Sequence, residues 1–220
     1  TGVGGASGLL GYTSGRGTNG AVINGAPVED VTYIIDGINS VDTDAGVLIL
    51  FPPVDSIQEF KVQTSSAPAA FGGGQGIINV IYKSGSNDFH GGLFGFARNQ
   101  SLNARTYFEE QTGAEKPDFS QQQLGGTLGG PIKKDKAHFF LSYERNRRNE
   151  TATIFRNGVL PEEEGPMEKT FRNHLLTAKM NFELSPKNTM MVRYALEDQA
   201  RDNDFTGGNF ISTVAATNTN

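Results

Sequence analysis

Cysteine and tryptophan are both absent from this chain of 220 residues. Without cysteine there is no disulfide framework, no thiolate metal site and no cysteine nucleophile. Long apolar runs are missing too. No stretch of about 18 apolar residues occurs, which excludes a transmembrane helix. No signal-peptide pattern opens the chain, and residue 1 is Thr, so the sequence is expected to be an excerpt of a longer protein. Basic residues are in deficit, with 19 Lys and Arg against 24 Asp and Glu. The resulting formal charge of −5 offers no basic face for nucleic acid.

Motifs that carry chemistry are also missing. "GRGTNG", Gly15 to Gly20, has the letters of a dinucleotide fingerprint, and Asp36 lies near the distance of its acidic partner. The flanking segments do not read as strand before and helix after, so the context fails. "FGGGQG" lacks the Gly-Lys-Ser/Thr of a phosphate loop. Asp36, Asp42 and Asp44 cluster in "DGINSVDTDAG" without calcium-loop spacing, and read as turn residues. His90, His138 and His174 form no HxH or HxxxH pair. No GxSxG occurs, and "NQS" and "NET" are bare sequons. No enzyme and no cofactor are expected.

What the chain has is glycine, 28 residues, and phenylalanine, 15 residues. That composition favours strands and turns over a helical bundle. Up to Gly85, short β-like runs alternate with Gly-rich turns. Strands are expected over Ala21 to Asn24, Val31 to Asp36, Glu59 to Gln63 and Ile77 to Tyr82. "PPVDSIQEF" reads as a bend and one helical turn, because Pro52 and Pro53 prevent an earlier helix. Three basic and seven acidic residues give this part a net charge of −4, against −1 for the remainder. A boundary near "KSGSNDFHGG" therefore separates residues 1–85 from 86–220.

Beyond that boundary the pattern is period two. In "LLTAKMNFEL", Leu176, Ala178, Met180, Phe182 and Leu184 share one face, and Thr177, Lys179, Asn181 and Glu183 the other. In "TMMVRYALE", Met190, Val192, Tyr194 and Leu196 oppose Met191, Arg193, Ala195 and Glu197. "AHFFLSYERN" alternates likewise, with Phe140 interrupting its polar face. "GGLFGFARN" and the weaker "QQQLGGTLGG" complete five expected strands. The spacers run long, short, long, short: about twenty residues from Asn99 to Phe119, then "PIKKDK", then over twenty from about Asn149 to Phe171, then "SPKN". Outer-membrane barrels show this asymmetry, with alternating strands of about ten residues. A soluble sandwich also alternates, but gives less reason for its long loops to fall on one side. Five strands cannot close a barrel, whose smallest form needs about eight.

The order of "YIIDGIN" and "PPVDSIQEFKVQTSSAPAAFGGGQGIINVIYKSGSNDFHGGLFGFARN" resembles the plug domain of TonB-dependent outer-membrane transporters. The carrying residues are Asp36-Gly37, Ile57 to Val62, Phe71-Gly72, Gly76, Asn79 and Lys83. The chain departs from the family at Gln75, where a second glycine is usual, and at Tyr82, where Thr is common. "SGSNDFHGGLFGFARNQSLNARTYF" and "QQLGGTLGGPIKKDKAHFFLSYERNRR" are similar to the large Oar-like subgroup. The resemblance implies a small α+β plug over 1–85 inside a barrel of about 22 strands, with residues 86–220 forming the first part of its antiparallel wall in outer-membrane lipid. It further implies an extracellular ligand, and energy relayed by TonB through a segment upstream of Thr1. Gly72, Gly73, Gly74 and Gly76 then read as turn and packing glycines, and Asn79 is expected to hydrogen-bond within the plug. Lumen-facing positions such as Lys179, Arg193 and Glu197 should be polar. The ligand is not legible; the two long spacers are its candidate loops. An adhesin or secretion-associated barrel that binds without transporting is the alternative, and a soluble β-rich binding module is a third reading.

Overall fold

The computed structural model describes residues 3–6, 13–14, 17–18, 20–23, 27, 30–42, 46–64, 76–105, 107–113, 116–154, 165–204 and 217–219. The chain divides into two compact units. The first comprises Thr1–Gly92, Thr127–Ser142 and Leu176–Leu196; the second comprises Leu93–Gly126, Tyr143–Leu175 and Glu197–Asn220.

The N-terminal part of the first unit is built from short strands. β1 (Val3–Ala6) pairs with β4 (Gly20–Ile23), and β2 (Thr13–Ser14) with β3 (Gly17–Thr18), all antiparallel. β5 (Val31–Ile35), β6 (Ile38–Asn39), β7 (Ile57–Gln63) and β8 (Gly76–Tyr82) form a mixed sheet in the order β6-β5-β8-β7. Within it β5 and β8 run parallel, and the other pairs are antiparallel. The four strands expected up to Gly85 thus appear within two residues of their expected bounds. A single 3-10 turn, Val54–Ser56, precedes β7, where the paired prolines place it. β8 is one of the two inner strands and is buried at Gly76, Ile77, Ile78, Val80 and Tyr82. Its two-sided apolar sequence fits that position.

One face of this sheet carries the core. Tyr33, Ile35, Ile78, Val80 and Tyr82 pack with Ile23, Val31 and Leu48. The Tyr33 hydroxyl accepts a hydrogen bond from the Ala21 N–H at 2.7 Å, tying β4 to the sheet. Burial pushes the Tyr33 phenol above its ordinary 10.0, against the smaller opposing effect of the Ala21 hydrogen bond. A raised phenol pKa leaves its stabilising contribution intact below the unfolded value and removes it as pH climbs through the folded one. Tyr33→Phe is expected to cost about 1 kcal/mol at neutral pH, because Ala21 loses its acceptor. It should also flatten the alkaline loss of stability, as read from urea midpoints between about pH 8 and pH 11.

The longer strands form a meander of order β14-β13-β12-β11-β10-β9. They are β9 (His90–Asn99), β10 (Phe119–Lys133), β11 (Ala137–Ile154), β12 (Gly165–Ser185), β13 (Asn188–Asp204) and β14 (Thr217–Thr219). A six-residue helix, α1 (Tyr107–Thr112), lies between β9 and β10. All five expected strands are present, but β10 to β13 run to 15, 18, 21 and 17 residues rather than about ten. Much of the expected long loop from Asn149 to Phe171 is therefore strand, since β11 continues to Ile154 and β12 begins at Gly165. Backbone pairing persists where alternation fades: outward Arg145 and Arg147 are exposed, yet the ladder runs on beneath them.

Burial on these strands inverts the usual rule. On β12, Asn173, Thr177 and Lys179 are 1%, 2% and 6% exposed, whereas Met180 and Leu184 on the opposite face reach 40% and 64%. On β11, Ser142, Glu144 and Asn146 are buried while Leu141 and Tyr143 are exposed. Water alone does not favour this arrangement. An apolar surround does, since it solvates the outer face while the polar side chains find one another within.

Candidate functional site

The polar centre of the first unit grows from the two-residue turn between β5 and β6. Ile35 pairs with Ile38, which leaves Asp36 and Gly37 as the loop. Both adopt positive φ, 49° and 81°, so Asp-Gly makes the turn whose twist matches its strands. Asp tolerates that conformation better than bulkier residues do. Its backbone N–H donates to the Val80 carbonyl oxygen at 2.9 Å, which fixes the direction of the side chain.

The Asp36 carboxylate is 4% exposed and meets two cations. Oδ1 accepts from Lys179 Nζ at 2.9 Å and from the Tyr82 N–H at 3.1 Å. Oδ2 accepts from Arg193 Nη1 at 3.3 Å. Lys179 Nζ also donates to the Tyr82 carbonyl oxygen at 3.1 Å, and the Arg193 guanidinium lies over the Tyr82 ring at 5.4 Å. Lys179 and Arg193 come from the inward faces of β12 and β13. One side chain from a turn and two from strands thus meet at the end of β8. Desolvating each ion costs several kcal/mol, which their mutual attraction and the added hydrogen bonds must offset.

Beside this cluster lies a cleft of about 630 Å³, whose walls include Asp36, Gly37, Asn79, Lys179, Asn181 and Glu183. Asn79 is where the sequence expectation fails. Its Oδ1 is buried without a hydrogen-bond partner, as is that of Asn181. Asn79 sits on the face of β8 opposite the apolar core and turns to the cleft instead. The neighbouring β10–β11 turn is clamped by Asn87, which donates through Nδ2 to Asp135 Oδ1 at 2.6 Å and accepts through Oδ1 from the Asp135 N–H at 2.9 Å.

The remaining motif residues have simpler surroundings. Lys83 follows β8 directly, and its Nζ donates to the Asp55 carbonyl oxygen at 2.7 Å. That bond ties the end of β8 to the 3-10 turn. Gly76 packs against the Ile23 side chain. Phe71 and Gly72, with Gly73 and Gly74, lie outside the described residues. The association of Asp36 with Lys179 and Arg193 has no signal in the sequence, because the partners are 143 and 157 residues away. Period two marked both cations as inward, but not their shared partner.

The second unit holds a smaller polar cleft of about 270 Å³, bordered by Asn99, Gln100, Asp118, Phe119, Glu150 and Glu168. Gln100 Nε2 donates to Asp118 Oδ1 at 3.0 Å, and Lys116 Nζ donates to the Asn103 carbonyl oxygen at 2.6 Å. The connection between β9 and β10 is therefore internally bonded. On the inward face, Asn173 donates to Glu197 at 2.9 Å. The guanidiniums of Arg148 and Arg201 lie 5.6 and 5.8 Å from the Phe171 ring centre. Among the described residues, no group of three His, Asp or Glu could hold a metal ion.

Residues 81–165 match the family model for an outer membrane beta barrel domain. The polar-inside, apolar-outside pattern of the long strands agrees with that domain. Over 153 residues the chain is 31% identical to the TonB-dependent transporter Oar of Myxococcus xanthus, covering 66% of this chain and 14% of that protein. The siderophore receptor PirA from Acinetobacter baumannii shares the fold, with a TM-score of 0.59 at 19% identity, over 85% of this chain and 26% of that one. The chain thus spans 14% of the length of its curated relative, and the outer membrane is where it resides.

Proposed function

We propose that the chain is part of a TonB-dependent receptor that imports an extracellular ligand through a plugged barrel. In this reading residues 1–85 are the plug, and residues 86–220 begin the barrel wall. The observation that carries it is the seating of the Asp36 turn, on the N-terminal sheet, against Lys179 and Arg193 on the inward face of the long strands. A sheet held through buried charges on an otherwise polar wall can be displaced without tearing an apolar core. The relationship to a TonB-dependent transporter supports the same reading. Asp36, Gly37, Gly76, Asn79 and Lys83 would then shape the plug, with Phe71 and Gly72 completing the motif.

The test is uptake. Cells carrying the full-length protein should accumulate at least one compound from a ligand panel, and the deletion strain should not. Accumulation should vanish when TonB is removed or the proton gradient is collapsed. Binding that persists with no uptake under any condition would favour the adhesin instead.

A further inference from the structure

We infer that the two short turns of the long strands form a docking surface for the headgroups of anionic phospholipid in the periplasmic leaflet. The inference rests on residence in the outer membrane and not on transport. Lys133, Lys134 and Lys136 lie at the turn between β10 and β11, and Lys187 at the turn between β12 and β13. The Glu183 N–H donates to the Lys136 carbonyl oxygen at 2.7 Å, which sets the two hairpin ends side by side. All four lysines are exposed. Among the described residues, no ion pair joins any of them to a carboxylate. Asp135 is the one acid in these turns, and Asn87 donates to its Oδ1 at 2.6 Å. The opposite end of the strands has the opposite charge. Residues 100–118 carry two basic against four acidic side chains, and residues 155–164 carry one against three.

The outward face beneath the turns sets their height in the membrane. Ile132, Leu184 and Met190 are exposed there, and the Phe89 and Phe139 rings lie 6.3 Å apart. Apolar bands edged by aromatic side chains end where hydrocarbon gives way to headgroups, and the short turns of such barrels face the periplasm. Lys136 is three residues beyond Phe139, about 8 Å of height at the usual strand tilt. The headgroup zone is roughly 5–8 Å deep on each side of the hydrocarbon. Lysine stems lie along an apolar edge while their ammonium groups reach polar surroundings, here the level of the phosphates. A zwitterionic headgroup brings an ammonium of its own and leaves the lysine charge unanswered. An anionic one supplies the missing counter-charge.

Local lipid quenching tests the surface on the full-length protein in phosphatidylcholine vesicles. The probe is a bimane attached through Leu184→Cys, on the outward face beside the turns. Residues 1–220 contain no cysteine of their own, and any cysteine elsewhere is replaced by serine. Dibrominated phosphatidylglycerol should quench the probe with an apparent affinity at least about fivefold above that of dibrominated phosphatidylcholine, the contribution of one lysine near an anionic surface. Lys133→Gln, Lys134→Gln, Lys136→Gln and Lys187→Gln together should bring the ratio to about one. Arginine at the same four positions should preserve it, and high salt should shrink it. Inorganic phosphate at matched ionic strength should leave it unchanged. Heat-modifiable gel mobility establishes assembly. If the fourfold variant does not assemble, the triple variant of the first turn and Lys187→Gln alone should each lower the ratio. Equal quenching of the wild type by the two lipids would overturn the proposal. So would a glutamine variant that keeps the preference, or a preference abolished by inorganic phosphate, which would assign the lysines to free anions.

Discussion

Asp36→Ala is expected to destabilise the seating of the N-terminal sheet by about 3–5 kcal/mol, the cost of breaking a buried ion cluster by removing one partner. The loss exceeds that of an exposed pair because nothing replaces the carboxylate. The side chains of Lys179 and Arg193 are only 7% and 15% exposed, and both would face one another as like charges. Tyr82 would also lose the acceptor of its N–H. Limited proteolysis of the assembled protein should report the change as faster cleavage within residues 1–85. Replacing all three members by uncharged residues, Asp36→Asn with Lys179→Met and Arg193→Met, should cost far less, since no charge is then stranded and Asn also tolerates positive φ. If the single variant resists protease as well as wild type does, the cluster is not holding the sheet.

Gly85→Ala is the second large effect expected, about 3 kcal/mol or more, at the upper end for forced overpacking. A Cβ there would strike the Phe139 carbonyl oxygen and stand 2.8 Å from both the Gly130 carbonyl oxygen and the Phe139 nitrogen. All three are backbone atoms, so no rotamer change makes room. Relief requires moving the chain away from the β10–β11 hairpin, which pulls on the Asn87 clamp two residues later. The folded fraction on unheated gels should drop sharply. Gly92→Ala is the matched control, since a Cβ at Gly92 meets nothing within 4 Å. Equal yields from the two variants would remove the steric argument.

The strands were legible because alternation records which side chains meet water or polar neighbours and which do not. Their lengths were not legible. "FSQQQ" at the start of β10 and "RNRRNETATI" at the end of β11 carry polar residues on both faces. Period two vanishes there although backbone pairing continues. An outward position needs an apolar side chain only across the hydrocarbon layer, which about ten residues traverse. The Asp-Gly turn was readable from its letters, since that pair favours positive φ at both positions. What Asp36 binds was not, because sequence spacing holds no information about a contact closed by the packing of whole sheets. Asn79 shows the converse. A polar residue within an apolar run suggested an internal hydrogen bond, and the side chain instead turns to the cleft.

The alternation on β11 to β13 has a further consequence, for delivery. Because polar and apolar residues take turns, the chain's mean hydropathy stays at −0.38, and among the described residues no helix is long and apolar enough to cross a membrane. A translocation channel that retains segments by their summed hydrophobicity over about 19 residues finds nothing here to stop. The apolar face exists only once the strands are extended and paired. The same spacing that suits these residues to one membrane lets them pass through another.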